Sequence, residues 1–391
     1  TATGATASHS YAATGSYVVS LRVTDALGQV SQAQRTVVVT GGGALSVLTP
    51  ASALDAGITH TCAVREGGVW CWGSNSVDQK LGSPITFTEN PGSESPSTNG
   101  LSSSGVPLQI AGLSNVTAVS AGEGHSCAVR ADGAVHCWGH GEYGELGQGS
   151  RAGSAAPVAV SGLSTAVAVA AGGFSTCALL QDGSVSCWGN SSTIIDNLVP
   201  APVAGLSGVT ALSAGRNHYC AVLADASVRC WGDNNHGQLG NGSQTDAPTP
   251  VAVTGITSAV AVAAGERHSC ALLADGTVRC WGYRGFTGGF GSFRSGLMGD
   301  GGTGFAPALT PVTVSGIGTA VGIAAAPSHS CALLADGAVW CWGAEAYARG
   351  QSDIADVALA PVQVPMSGAV NALSLGDGFT CVCLLYTSDA A

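Results

Sequence analysis

Charge is scarce in this chain. Only 9% of its 391 residues are Asp, Glu, Lys or Arg, and the balance is acidic, at −11. Nucleic-acid binding selects a basic face, so the acidic balance argues against a DNA- or RNA-binding role. Long apolar runs are also missing: no stretch of 18 apolar residues suggests a membrane span. No segment holds a sustained helical period, which argues against a helical fold. The common catalytic signatures are absent too. There is no phosphate-cradling P-loop, no zincin pair, no nucleophile elbow and no serine in a recognisable triad context. Neither an enzyme nor a cofactor is expected.

Cysteine is abundant, and it is ordered. Six times a cysteine is followed by a short turn and then Cys-Trp-Gly. The pairs are Cys62 and Cys71, Cys127 and Cys137, Cys177 and Cys187, Cys220 and Cys230, Cys270 and Cys280, and Cys331 and Cys341. A seventh opening cysteine, Cys381, has no Cys-Trp-Gly after it. Opening cysteines recur about every 50 residues, a period that signals a repeat architecture. Short Val-rich runs split by Gly, Asp and Asn read as strands and tight turns.

The hairpin register follows from the turns. A three-residue loop Ala274-Asp275-Gly276, with Gly in the left-handed position, sets Cys270 opposite Cys280. The first unit is one residue shorter, and a two-residue loop Glu66-Gly67 sets Cys62 opposite Cys71. Directly opposed residues on antiparallel strands lie close enough for a disulfide. Zinc is disfavoured, because its paired ligands usually have two to four residues between them and these have eight or nine. Six hairpin disulfides are therefore expected, and with them an oxidising compartment.

The recurring text is Ala-Gly-x-x-His before the first cysteine, Asp-Gly at the turn and Trp-Gly after the second. Gly-Gln-Leu-Gly in the outer loop is intact at 237–240 and nearly so at 144–147. This text resembles the regulator of chromosome condensation repeat family, over residues 50–383. The resemblance implies an all-β, seven-bladed propeller of four-stranded blades that acts through protein surfaces. The paired cysteines look like a bacterial, exported version. An exchange factor for a small GTPase does not suit a disulfide-bonded protein outside the cytosol.

Residues 1–40 resemble the C-terminal part of a polycystic kidney disease domain, a small immunoglobulin-like sandwich. The match is His9-x-Tyr11, then Gly15-x-Tyr17-x-Val19-x-Leu21-x-Val23-x-Asp25. Residues 41–49, containing Gly41-Gly42-Gly43, read as a linker. Residues 384–391 break the repeat and read as a non-native tail, with Cys383 outside the disulfide framework. Both ends look cut, so the seventh blade is expected to be unfinished and the native chain to continue.

A residue that returns in every unit serves the blade. His60, His125, His218, His268 and His329 are expected to bond neighbouring backbone. Trp72, Trp138, Trp188, Trp231, Trp281 and Trp342 are expected to pack between blades. Asp233-Asn234-Asn235 superficially resembles a calcium loop, but its later positions lack the oxygen ligands such a loop needs, so no metal is expected. Recognition should sit where the repeat fails. The segment 283–298 reads as an insertion replacing the Gly-Gln-Leu-Gly loop. Its Tyr283, Arg284, Phe286, Phe290, Phe293, Arg294 and Met298 are side-chain types enriched in interface cores. Tyr347 and Arg349 form a smaller candidate site. The expected function is non-catalytic binding of an unidentified protein or cell-surface ligand. Alternatives are a structural or adhesive spacer, or an accessory region of a secreted hydrolase.

Overall fold

A computed structural model describes residues 15–24, 30–39, 53–75, 81, 86–88, 97–99, 103–191, 195–287, 293–344, 357–366 and 370–384. The chain divides into two units, Thr1–Thr49 and Pro50–Ala391. In the first unit Gly15–Thr24 pairs antiparallel with Val30–Val39, running from Gly15 opposite Val39 to Thr24 opposite Val30. The alternation of Tyr17, Val19, Leu21 and Val23 is the period-2 pattern of such a strand.

The second unit is an all-β propeller with six four-stranded blades. Blade 2 shows the plan: inner strand Val116–Ala121, then His125–Arg130, then Val135–Gly139, and outer strand Ser154–Ala159. The inner strands of blades 1 and 3 to 6 are Ala53–Ala56, Ala166–Ala171, Val209–Ala214, Ala259–Ala264 and Ala320–Ala325. The seventh sheet differs from a full blade. It has two strands, Val370–Gly376 and Phe379–Leu384. Those two suffice to join the ring: Asp377 N donates to Ile58 O at 3.0 Å, and His329 Nε2 meets Thr380 Oγ1 at 3.0 Å.

Each second and third strand face each other in the register that places Cys opposite Cys. The structure joins all six expected pairs. Cys62 is bonded to Cys71, Cys127 to Cys137, and Cys177 to Cys187. Cys220 is bonded to Cys230, Cys270 to Cys280, and Cys331 to Cys341. Their Cα separations are 4.0–4.1 Å. The closing partners Cys71, Cys137, Cys187, Cys230, Cys280 and Cys341 are all buried, so each bridge lies inside its blade. Cys381 and Cys383 stay outside this framework. Gly276 takes a positive φ of 80° at its turn, whereas the equivalent residue in blade 4 is Ala226, at 61°.

The core lies between blades. Trp138, Trp188, Trp231, Trp281 and Trp342 are fully buried, and Trp72, which follows the two-stranded sheet in the ring, is only half-buried. The Nε1 of Trp188, Trp281 and Trp342 donates to the carbonyl of Glu145, Gln238 and Leu297, at 2.8, 2.8 and 3.1 Å. Each carbonyl belongs to the outer loop of the preceding blade, so the ring nitrogen is satisfied across the interface it packs into.

The histidines do the same on the inner side, but not with backbone as expected. His60, His125, His218 and His268 place Nε2 within 2.7–2.8 Å of Ser126, Thr176, Ser269 and Ser330, each a hydroxyl on the next blade. Burial drives the imidazole pKa of His218 down to about 4 and that of His268 to about 3. Both rings are therefore neutral in the fold. The glycine of Ala-Gly-x-x-His is fixed by this ring. A Cβ on Gly215 would stand 2.4 Å from His218 Cε1 and 2.3 Å from the carbonyl oxygen of Gly265 in the next blade.

Candidate interface at the channel mouth

The inner strands enclose a channel with a cavity of about 310 Å³. Asp55 is the one charged residue in its described wall. Oδ2 accepts from Ser120 Oγ and Ala121 N at 2.8 and 2.9 Å, and Oδ1 accepts from Ala56 N and Ser374 Oγ, both at 3.1 Å. Asp55 thus stitches blades 7, 1 and 2 together. Burial raises its carboxyl pKa despite these bonds.

The inner strands end at a ring of turns, and in the first six blades the first of two turn residues lines the mouth. No two turns read alike: they are Ile58-Thr59, Glu123-Gly124, Gly173-Phe174, Arg216-Asn217, Glu266-Arg267, Pro327-Ser328 and Asp377-Gly378. Arg216 crosses blade 3 to reach blade 2. Its Nε lies 3.1 Å from Glu123 Oε2, and its Nη1 lies 3.3 Å from Glu266 Oε1 on blade 5. Gly173 permits the crossing, since a Cβ there would meet Arg216 Cγ at 3.0 Å. These pairs are partly exposed and contribute little stability; they fix where the charges stand.

The outer loops rise beside the turns. In blade 4 the loop is built around the buried Asn234. Its Nδ2 donates to Ser243 O and Thr245 O at 3.0 Å, and its Oδ1 accepts from Leu239 N at 3.0 Å. His236 leans on Tyr283, with ring centroids 4.8 Å apart, and the Arg267 guanidinium lies 5.9 Å over the same ring. Burial, and then the Arg267 charge, lower the His236 pKa, while burial raises that of Tyr283. Arg216, Asn217, Asp233, Asn235, His236, Glu266 and Arg267 line a pocket of about 190 Å³ that shares a wall with the mouth. At the junction of blades 2 and 3 the equivalent positions hold Tyr143 and Phe174, 4.6 Å apart.

Of the residues expected to bind a partner, Tyr283 is part of this arrangement. Arg284 is instead an anchor. Its Nη2 and Nη1 pair with Asp300 at 2.7 and 2.8 Å, both side chains being mostly buried. Burial pushes the Asp300 carboxyl upward, yet the bonds from Arg284 and Gly302 leave it below its ordinary value. Met298 offers no surface: it is fully buried beside Trp342. The outer loop is not replaced in this blade. Gly296-Leu297-Met298-Gly299 occupies its place, with Leu297 O receiving Trp342 Nε1 and Gly299 under the same ring. The sequence signal was Gly-Leu-Met-Gly-Asp-Gly against Gly-Gln-Leu-Gly-Asn-Gly. The true insertion is the segment before it, where Gly285–Thr287 pairs with Phe293–Ser295 and Phe286 stands opposite Arg294. Phe290, Tyr347 and Arg349 lie outside the described residues. Sequence reasoning missed Glu123, Phe174, Arg216, Glu266 and Arg267, which occupy the variable positions of the recurring turn.

Models of the regulator of chromosome condensation (RCC1) repeat match residues 66–129, 132–179 and 225–272. A second RCC1 repeat model matches 52–79, 116–145, 166–193, 209–238, 259–286 and 321–349. The chain belongs to the RCC1 repeat family. Among solved structures, Prp20p from Saccharomyces cerevisiae is 25% identical with a TM-score of 0.70, over 86% of this chain and 82% of that one. That structure was described with its binding properties to Gsp1p and histones. Yeast RCC1 (Prp20) bound to Kap60 is 24% identical, with a TM-score of 0.69 over 86% and 80% of the two chains. Human WBSCR16 is 19% identical, with a TM-score of 0.66 over 86% and 87%. No curated protein matches this chain. The RCC1-type propeller is a protein-interaction scaffold, and six cysteine pairs fit an oxidising environment. Among the described residues no helix is long and apolar enough to cross a membrane.

Proposed function

We propose that this chain is a non-catalytic protein-binding module of an exported or cell-surface bacterial protein, and that it binds through the face around the channel mouth. The observation that carries the reading is the contrast between two sets of residues. The paired cysteines, the recurring histidines and every recurring tryptophan but Trp72 are buried. On the mouth face, Glu123, Arg216, Glu266, Arg267, His236 and Tyr283 do not recur, and they stand on rigid turns. Loops on a rigid scaffold commonly carry recognition, and Arg and Tyr are among the residues that most often dominate binding energy. Phe286, Phe290, Phe293 and Arg294, on the insertion that follows Tyr283, extend the proposed surface. Residues 1–40 are proposed as part of a sandwich domain, 41–49 as a linker, 50–383 as the propeller and 384–391 as a non-native tail.

The test is capture of extracellular proteins by the immobilised, oxidised protein. A variant carrying both Arg267→Ala and Tyr283→Ala should lose most of the capture, with its twelve paired cysteines still inaccessible to thiol reagents. Unchanged capture would place the interface elsewhere. Twelve labelled thiols in protein recovered from its native compartment would remove the export reading.

A further inference from the structure

The pocket between blades 4 and 5 has a composition that selects a ligand class. Two guanidiniums, Arg216 and Arg267, face two carboxylates, Asp233 and Glu266, so the lining is electrically balanced. Both cations are already paired with Glu266: its Oε1 lies 3.3 Å from Arg216 and 3.2 Å from Arg267. An anion entering here would have to displace Glu266 from them, and a cation would upset the balance of the lining. A neutral ligand would not.

The remaining hydrogen-bonding capacity is mixed and uncommitted. Asp233 Oδ1 accepts from Asn235 N at 3.1 Å and Asn235 Nδ2 at 2.6 Å, leaving Oδ2 without a partner among the described residues. Among those residues the Asn217 amide, the terminal nitrogens of Arg267 and both ring nitrogens of His236 also make no hydrogen bond. A carboxylate oxygen that only accepts, guanidinium nitrogens that only donate, and an amide that does both converge on one small space. A hydroxyl group does both, so vicinal hydroxyls match such a lining. The ring of Tyr283 lies against the wall, where it contacts His236 and Arg267. At about 190 Å³ the pocket is smaller than the roughly 300–1,000 Å³ that takes a drug-sized ligand, which suits one ring of a larger molecule. The loop on Asn234 is internally braced, so the site is formed before a ligand arrives.

We infer that this pocket binds a neutral saccharide unit, held by Asn217, Asp233 and Arg267 beside the His236 ring, which Tyr283 backs. The inference does not depend on the protein-binding reading, and its failure would leave that reading standing.

Saturation-transfer NMR on the oxidised protein tests it, with maltose, cellobiose, mannobiose and chitobiose as probes and glycine, glutamate and lysine as charged competitors. At least one disaccharide should receive saturation. Its affinity should fall about tenfold in Asn217→Ala and again in Asp233→Ala, as loss of a hydrogen bond to an uncommitted group implies. Asn217→Ala should melt at the wild-type temperature, since its side chain supports nothing else. No transfer to any of the four sugars would overturn the inference. So would transfer that survives both substitutions, or displacement by a charged competitor at lower concentration than by sugar.

Discussion

Ser175 Oγ and Tyr219 OH meet at 2.8 Å across the interface between blades 3 and 4. Everywhere else on blades 1 to 6, a histidine on one blade reaches a serine or threonine on the next. Here the long and short partners have changed sides. Tyr219 is fully buried, stacks on Trp231 at 5.6 Å, and has its hydroxyl pKa raised by burial, so it stays protonated and neutral. The interface demands one long ring and one small hydroxyl, not a particular owner for each.

That exchange is testable as a double-mutant cycle. Ser175→His alone forces two rings into one space and should cost about 1–3 kcal/mol. Tyr219→Ser alone empties the space and should cost about 3–5 kcal/mol. The double substitution should recover a large part of the sum, with a coupling of at least about 1 kcal/mol in denaturant unfolding. Simple additivity would show that the pair is not a unit.

Stability should fall with acid in a defined window. His218 and His268 titrate at about 4 and about 3 in the fold, against about 6.5 in an unfolded chain. Their folded pKa values are depressed, so their contribution is complete above about pH 6.5. It is lost as pH falls from there toward about 4 and then about 3, because the unfolded state binds the protons first. For His218 the loss is of order 3 kcal/mol. Urea midpoints measured against pH should show this slope, and His218→Gln should flatten part of it.

Two tryptophans in equivalent places should respond differently to loss of the ring nitrogen. Trp281 donates to Gln238 O at 2.8 Å, while the Nε1 of Trp231 is buried with no partner among the described residues. Trp281→Phe should cost about 1–2 kcal/mol beyond the volume change. Trp231→Phe should cost clearly less, measured by chemical denaturation.

Ala226 holds a positive φ that the other three-residue turns assign to glycine. Ala226→Gly relieves the steric cost of the left-handed conformation, partly offset by a more flexible unfolded chain. The net gain should be about 0.5–1 kcal/mol, read from the thermal midpoint.

The blade was legible in the sequence because each of its constraints repeats. Cys opposite Cys follows from turn length, and Gly before His follows from a ring that leaves no space for a Cβ. The mouth face was less legible for the same reason. Arg216 and Glu266 look like filler in Ala-Gly-x-x-His until the ring brings seven such turns to one mouth. Met298 looks like an exposed anchor in the sequence, because Leu-Met in place of Gln-Leu hides an ordinary outer loop. The partner of each histidine is also invisible there, since it lies about 50 or 60 residues away on the next blade. Only closure of the ring makes them neighbours.

The proposed function divides the propeller into one recognising face and a scaffold. The direct measurement compares two triple variants in binding to the same extracellular protein fraction. One carries Arg216→Ala, Arg267→Ala and Tyr283→Ala at the mouth. The other carries Asp182→Ala, Asp225→Ala and Asp275→Ala, in exposed turns between the second and third strands. The mouth variant should lose binding and the turn variant should keep it, with both retaining six disulfides. Loss in the turn variant with full binding by the mouth variant would contradict that division.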